Sequence, residues 1–204
     1  MKLQIKFGHG LLKSIMHRMP SFFRFLVAST LLLLLGMQSC MGEVLGSQIK
    51  TAYVLNFVKF TEWPAGVATT GVVTLCAVGN NVLDGTLATL DGRKAGGREL
   101  RVVHYSPETL FAERVNASSS LGNCQVVFFG TSERHRYKPL LDSLADFSVL
   151  TISDIDDFAE SGGGIGLGYR ENKIIFEVNL AAVQRSKLHL PGQLLNLASY
   201  IYKR

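Results

Sequence analysis

The run Cys124-Gln-Val-Val-Phe-Phe-Gly130 decides the fold class. It sets apolar side chains in unbroken succession from Val126 to Phe129 and ends at a glycine. A strand without polar alternation is typical of a parallel sheet that helices cover on both faces. We therefore predict that this run is an interior strand of an α/β domain.

Strand-like and helix-like segments alternate on both sides of this run. Apolar runs predict further strands, and helical spacing and capping residues predict the helices between them. This alternation implies a single α/β domain with a mostly parallel sheet and helices on both faces. The predicted strands are Val72–Val78, Leu100–Tyr105 and Ser148–Ser153, and the predicted helices are Val82–Leu90, one starting at Ser106, Ser132–Leu144 and a short turn over Asp154–Ala159.

The C-terminal quarter follows a different pattern. Ile165–Arg170 and Lys173–Val178 flank the polar pair Glu171-Asn172, which predicts a hairpin that adds an antiparallel edge to the sheet. Asn179 is a candidate N-cap for a helix over Leu180–Arg185. Pro191 predicts the start of a last helix, Gly192–Tyr202.

A mostly apolar segment, Ser47–Trp63, predicts the first helix of the domain. Most surface helices have one polar face, but in this helix apolar residues occupy most positions. One interpretation is a helix buried between two layers. The other is that one face packs on the core while the second meets a partner chain through Tyr53, Phe57, Phe60 and Trp63.

Residues 1–42 are predicted to be a secretory signal peptide, which leaves 43–204 as the mature domain. Their charged side chains are all basic, and a short apolar core over 25–36 follows. This core is shorter than the roughly 20 residues that span a membrane. The alternative is a retained membrane anchor, and translation could also begin at Met16 or Met19.

Three cysteines bear on export. Cys40 either receives a lipid, which would make the protein a lipoprotein, or leaves with the leader after cleavage at Gly42. Cys76 and Cys124 each lie at a strand-like run and could form a disulfide if those strands are neighbours. The alternative is a pair of buried free thiols, because cysteine packs as a small hydrophobe.

The charge of the mature domain argues against a nucleic-acid partner. The chain has 21 basic and 16 acidic residues, and five of the basic ones lie before Glu43. The mature part therefore has 16 of each sign and is neutral. Nucleic-acid binding normally requires a basic patch.

No pattern of catalytic or metal-binding residues emerges. The glycine run over 162–168 leads into a strand rather than a helix, so we interpret it as a turn and not as a phosphate loop. His104, His135 and His189 lack metal-ligand spacing, and the aspartates of 154–157 lack the rest of a calcium loop. We expect no enzyme activity, no cofactor and no metal.

The motifs of residues 50–198 resemble, in order, those of the YfiR family. The resemblance covers essentially the whole mature chain. Its motifs are Lys50-Thr-Ala-Tyr-Val-Leu-Asn-Phe-Val-Lys-Phe-Thr-Glu-Trp-Pro64, Leu75-Cys-Ala-Val-Gly79, Cys124-Gln-Val-Val-Phe-Phe-Gly130, Val149-Leu-Thr-Ile-Ser-Asp154, Gly163-Gly-Ile-Gly-Leu167, Phe176-Glu-Val-Asn-Leu180 and Gln193-Leu-Leu-Asn-Leu-Ala198.

This resemblance implies a bacterial periplasmic regulator rather than an enzyme. Its best-known members bind the periplasmic domain of a membrane diguanylate cyclase and repress it, which controls cyclic di-GMP signalling and biofilm formation. Their matched disulfide corresponds here to Cys76 and Cys124. A second, more C-terminal cysteine pair of some relatives is absent from this sequence.

Three functional hypotheses follow. The first is a periplasmic repressor that binds a membrane sensor, either a diguanylate cyclase or a histidine kinase; a homodimer is an option that the sequence leaves open. Its expected partner-binding residues are Tyr53, Phe57, Phe60, Trp63 and, in the hairpin, Arg170. The second is a small-molecule binding module that serves a membrane sensor kinase, with its ligand in a crevice at the strand ends. The third is a hydrolase with unrecognised catalytic residues.

Overall fold

A computed structural model describes residues 45–67, 71–106, 108, 110 and 117–203. Leu45–Arg204 forms one compact unit. The predicted leader over 1–42, with Cys40, lies outside the described residues. Within the described part of the chain, no helix has both the length and the apolar character needed to cross a membrane.

The described residues form an eight-stranded sheet in the order β2-β3-β1-β4-β5-β6-β7-β8. Neighbouring strands are parallel except at the β2–β3 and β6–β7 pairs, which are antiparallel. The predicted fold class, a mostly parallel α/β sheet with a C-terminal hairpin, is therefore confirmed. The strands are β1 Val72–Val78, β2 Lys94–Ala95, β3 Arg98–Tyr105, β4 Val126–Phe129, β5 Leu150–Ser153, β6 Ile165–Arg170, β7 Lys173–Asn179 and β8 Tyr200–Tyr202.

Helices lie on both faces of this sheet. In the described part, the α-helices outside the partly described region near residue 110 are α1 over 45–60, α2 Ala117–Gly122, α3 Tyr137–Ser143, α4 Leu180–Arg185 and α5 Gly192–Leu195. Two 3₁₀ segments, Val82–Leu90 and Thr131–Glu133, follow β1 and β4.

The two faces of the sheet have separate cores. The front face, defined by Leu75, Phe128, Ile152 and Phe176, packs against α1, α4, α5 and the first 3₁₀ segment. The back face, defined by Val127 and Phe129, packs against α2, α3 and the turn that follows β5. Alternate residues of β1 and β4 pack into opposite cores, as the largely apolar sequences of both strands predict.

The hairpin and the cap of α4 agree with the sequence. Glu171 and Asn172 both have left-handed backbone angles, with φ of 49° and 60°, as a tight two-residue turn requires. Asn179 Oδ1 accepts a hydrogen bond from the Ala182 amide at 2.8 Å, and its Nδ2 donates to Ala159 O at 2.8 Å. One side chain therefore starts α4 and fixes the turn that precedes β6.

Two predictions in the C-terminal part are wrong. The last helix ends at Leu195, and Tyr200–Tyr202 forms a strand parallel to β7. The hairpin is consequently not at the edge of the sheet, because β8 covers β7. The physical reason is that β7 presents unpaired backbone groups, which the end of the chain satisfies as a strand.

The segment Val82–Leu90 also differs from the predicted simple helix. It consists of 3₁₀ turns around a kink at which Leu83, Asp84 and Gly85 have left-handed angles. Such angles are uncommon for residues with a side chain, and they occur here in the segment that follows β1.

Candidate functional site

Cys76 and Cys124 form a disulfide, with their Cα atoms 6.0 Å apart. Cys76 lies in β1 and Cys124 precedes β4, the strand paired with β1. Both side chains are buried in the core of the back face. The bond predicted from the sequence is thus confirmed, and it joins neighbouring strands within a packed core.

The inner side of α1 belongs to the core of the front face. Phe57 is fully buried, and its ring meets the Phe176 ring edge-on at a centroid distance of 5.0 Å. Tyr53 is half-buried and lies 5.8 Å from the same ring. Because Phe57 has no exposed surface, it is unavailable to a partner in this conformation, and the interpretation of it as core is the better one.

Trp63, just after α1, packs at the end of the sheet where β3 and β4 begin. Its ring lies 4.8 Å from the Arg98 guanidinium, and its Nε1 donates a hydrogen bond to Gln125 O at 3.3 Å. Arg98 also donates to Thr61 O at 3.2 Å. The half-buried Trp63 therefore has a positioning role here, with part of its surface still accessible.

The outward side of α1 carries a strip that is apolar except for Asn56, which we call the outer stripe: Leu45, Ile49, Ala52, Asn56 and Phe60. All five are exposed, with 36% of Phe60 accessible. Their spacing of three or four residues places them on one side of the helix. Of the four predicted aromatic contacts, only Phe60 lies on this stripe.

Polar contacts hold the N-terminal half of α1. Lys50 Nζ lies 2.8 Å from Asp154 Oδ2, and Ser47 Oγ donates to Asp84 Oδ2 at 2.5 Å. Thr51 adds a hydroxyl contact to Thr86 at 2.8 Å. These contacts fix the orientation of the helix, so the outer stripe points away from the domain.

Arg170 lies at a groove on the back face, which we call the hairpin groove. Its cavity of about 210 Å³ is lined by Gly166, Gly168, Ile175, Glu177 and residues of the turn after β5. Arg170 Nη2 is 3.9 Å from Glu177 Oε1. Since α1 packs on the front face, the structure does not bring Arg170 together with the aromatic residues of α1.

Tyr202 is part of the same surface and was missed in the sequence. Its hydroxyl donates to Glu177 Oε2 at 3.1 Å, and burial together with this bond raises the pKa of Tyr202 to about 12. The sequence pattern placed Tyr202 in a helix, so its position beside Glu177 could not be expected.

The described residues contain no group of three or more histidine, cysteine or acidic side chains that could hold a metal. The buried carboxylate of Glu133 accepts hydrogen bonds from Ser132 Oγ at 3.0 Å and Arg136 Nη2 at 3.3 Å, both at Oε1. Its Oε2 is buried and has no hydrogen-bond partner among the described residues, so this carboxylate is only partly satisfied.

The sequence model of the YfiR/HmsC-like family matches residues 47–199, which span both cores, the disulfide and the hairpin groove. The chain belongs to the YfiR/HmsC-like family. The YfiR/HmsC-like family is a regulatory rather than a catalytic family, and at the level of the family the match supports periplasmic regulation of a diguanylate cyclase.

Two solved structures share the fold of this YfiR/HmsC-like chain. A conserved domain protein from Vibrio cholerae O1 biovar El Tor is 12% identical, with a TM-score of 0.50, and the match covers 66% of this chain and 56% of that one. The ABC domain from Streptococcus pneumonia in complex with L-Trp is 11% identical, with a TM-score of 0.52 and coverage of 72% and 58%. The chain thus spans less than three fifths of either protein, and the likeness shows the fold alone.

Proposed function

We propose that the protein is a periplasmic regulator that binds a membrane-bound diguanylate cyclase and represses it, thereby controlling cyclic di-GMP signalling and biofilm formation. The observation that carries this proposal is the family match over 47–199. The secretory pattern of residues 1–42 agrees with it, because export would place the domain beside the periplasmic part of such a sensor.

The outer stripe of α1 is the proposed contact surface on the front side. Phe60, Ile49 and Leu45 are large apolar residues that this helix leaves exposed. Exposed apolar residues grouped in this way are a feature of protein-binding surfaces. Of the four aromatic contact residues predicted in α1, Phe60 remains in the proposed surface and Phe57 belongs to the core. Tyr53 and Trp63 can contribute only their accessible edges.

Repression by contact requires an affinity that a small change can release. The mature sequence is neutral, so long-range charge attraction contributes little and apolar contact must supply the affinity. Loss of one interface aromatic often costs about 2 kcal/mol, or about a thirtyfold weaker complex. A loss of this size would free a repressed cyclase.

The test compares two phenylalanines of equal exposure. Phe60 and Phe147 are each 36% accessible, but Phe60 lies on the outer stripe and Phe147 lies after α3. We expect Phe60→Ala to weaken retention of the cyclase from envelope membranes about thirtyfold and to raise cyclic di-GMP in cells. Phe147→Ala serves as the matched control and should leave both unchanged.

Two results would contradict this proposal. Failure of the wild-type protein to retain a diguanylate cyclase, together with unchanged cyclic di-GMP after deletion of the gene, would exclude the repressor function. If Phe60→Ala and Phe147→Ala have equal effects, the repressor function can stand, but the contact surface lies elsewhere than on α1.

Export is a separate part of the proposal, because residues 1–42 lie outside the described structure. We expect the envelope protein to begin at Cys40 with a lipid, or at Glu43 without one. Intact-mass measurement decides between these forms, and a mass that includes residues 1–42 would contradict export with cleavage.

A further inference from the structure

The glycines before and within β6 differ in whether the structure requires glycine at their positions. Gly162 has a φ of +103°, which side chains rarely allow. A Cβ on Gly163 would lie 2.1 Å from the Phe158 ring, and one on Gly164 would lie 2.9 Å from Thr151 O. A Cβ on Gly166 would come within 3.3 Å of the Ala159 amide nitrogen. Backbone geometry or close packing therefore accounts for all four.

Gly168 has no such requirement. It has no positive φ, and a Cβ there would make an ordinary contact of 3.5 Å with Ile175 Cγ1. Glycine inside a strand is less stable than alanine, because it loses more backbone freedom on folding. The fold therefore accommodates alanine at this position. Because Gly168 has no side chain, the floor of the hairpin groove stays open there.

The rim of the hairpin groove carries three carboxylates, those of Asp156, Asp157 and Glu177. Asp156 is paired with Arg134 at 3.0 Å, and Glu177 lies 3.9 Å from Arg170 and accepts a hydrogen bond from Tyr202. Asp157 has no hydrogen-bond or ion-pair partner for its side chain among the described residues. The groove thus combines a floor of Gly168 and Ile175 with one carboxylate, that of Asp157, that lacks a cationic partner among the described residues.

We propose that the hairpin groove receives a basic side chain, arginine or lysine, from a partner protein. An aliphatic stem suits the floor of Gly168 and Ile175, and a cationic end suits the Asp157 carboxylate at the rim. This inference rests on the proposed function, in which the protein acts by binding another protein.

The surroundings of the groove favour a protein as the source of this side chain. The cavity of about 210 Å³ is smaller than the about 300–1,000 Å³ of typical small-molecule pockets. Two exposed tyrosines lie beside it: Tyr169 lines the groove, and Tyr200 is paired with Glu177 across β7 and β8. Exposed tyrosine and arginine together are enriched in protein interfaces.

The direct test uses Nα-acetyl-L-arginine methylamide as a probe, because it presents the side chain without free amino-acid charges. The probe is titrated into the mature protein while backbone amide NMR shifts are recorded. We expect saturable shifts centred on Gly166, Gly168 and Ile175. The leucine counterpart of the probe should give none of these shifts.

Variants separate binding in the groove from effects on the fold. Gly168→Ala fills the floor and should weaken probe binding about tenfold, with an unchanged or higher melting temperature. Asp157→Asn, which removes one rim charge and keeps the shape, should weaken it severalfold. Gly192→Ala is the matched control, because a Cβ there meets nothing within 4 Å, and it should bind like wild type.

Several outcomes overturn the inference. Absence of saturable shifts, equal shifts with the leucine probe, or wild-type binding by Gly168→Ala would each exclude a basic side-chain site. Binding of free L-arginine without binding of the blocked probe would identify a small-molecule site instead. None of these results depends on cyclase retention, so the groove can fail while the proposed function stands, and the reverse.

Discussion

The back face of the sheet has a covered part and an open part. Over β1, β4 and β5, helices α2 and α3 and the turn after β5 enclose the side chains, and Val127 and Phe129 are completely buried. Over β6, β7 and β8, no α-helix of the described chain contributes to the core of that face, and Ile175, Glu177 and Tyr200 keep accessible surface. The back face of one continuous sheet is thus buried over β1, β4 and β5 and accessible to solvent over β6, β7 and β8.

This difference shows where residue choice follows packing and where it does not. In the covered part, each side chain fits its neighbours, so a substitution should be measured as a loss of stability. In the open part, Gly168 satisfies no packing requirement, so a substitution there should be measured as a change in binding. The predictions below test this division, beginning with the largest expected effect.

Phe129→Ala should lower the free energy of unfolding by about 3–5 kcal/mol. The ring is fully buried and lies 6.0 Å from the Phe158 ring and 6.3 Å from the Tyr137 ring, so its removal leaves a cavity. Denaturant unfolding measures this loss. Tyr200→Ala in the open part is the comparison and should change stability by no more than about 0.5 kcal/mol.

Removal of the disulfide by the double substitution Cys76→Ala and Cys124→Ala should lower stability by about 4 kcal/mol. The bond closes a segment with a sequence separation of 48, and the chain entropy of the unfolded state rises without it. Denaturant unfolding of the variant and wild type gives the difference. Because the bond lies in the covered part, probe binding in the hairpin groove should persist, and its loss would mean that the two parts are coupled.

Gly163→Ala should be destabilising by about 1–3 kcal/mol, since the added methyl group must displace the Phe158 ring. Gly168→Ala, only five positions later, should be neutral or stabilising by up to about 1 kcal/mol. Thermal melting of the pair measures both. If the two alanines cost the same stability, the distinction between covered and open glycines is wrong.

Tyr202 should give the smallest effect, which is limited to alkaline solution. Its pKa is raised from 10.0 to about 12, so the folded state favours the protonated phenol. The stabilisation is fully present below pH 10 and is lost as the pH rises towards 12, because the unfolded chain ionises first. Tyr202→Phe should remove this part of the alkaline loss of stability, as unfolding curves across that range would reveal.

The central part of the sheet could be predicted from the sequence. The mostly apolar run of Val72–Val78 predicts the observed strand, and Glu171-Asn172 predicts the hairpin. Both signals are local, since burial on two faces and a tight turn each leave a direct mark on residue type. The disulfide could also be anticipated, because each cysteine lies at a strand-like run.

The end of the chain could not be predicted in the same way. Leu194, Leu195, Leu197 and Ala198 have helical spacing, yet only Leu194 is buried and the helix stops at Leu195. The strand that follows depends on the free edge of β7, which is a property of the assembled sheet. Tertiary context therefore overrides local preference at this position.

The candidate site was predicted only in part, for a related reason. The sequence of α1 is apolar on most sides, so it does not indicate that Phe57 faces inward and Phe60 outward. Arg170 was recognised, but Glu177 and Tyr202 meet near it only through the pairing of β7 with β8. A groove formed by missing side chains, as at Gly168, leaves little signal in a single sequence.

The interior position of β1 has a consequence for how the protein folds. β1 pairs with β3 and β4, which both come later in the chain, so the middle of the sheet is incomplete until residue 129 has been made. Such distant pairings slow folding, and Cys76 remains a free thiol until Cys124 comes close to it. Because residues 45–204 contain just these two cysteines, Cys124 is the one partner within the domain with which Cys76 can form a disulfide. Oxidative folding of this domain therefore needs no reshuffling of bonds within the chain, however late the second strand arrives.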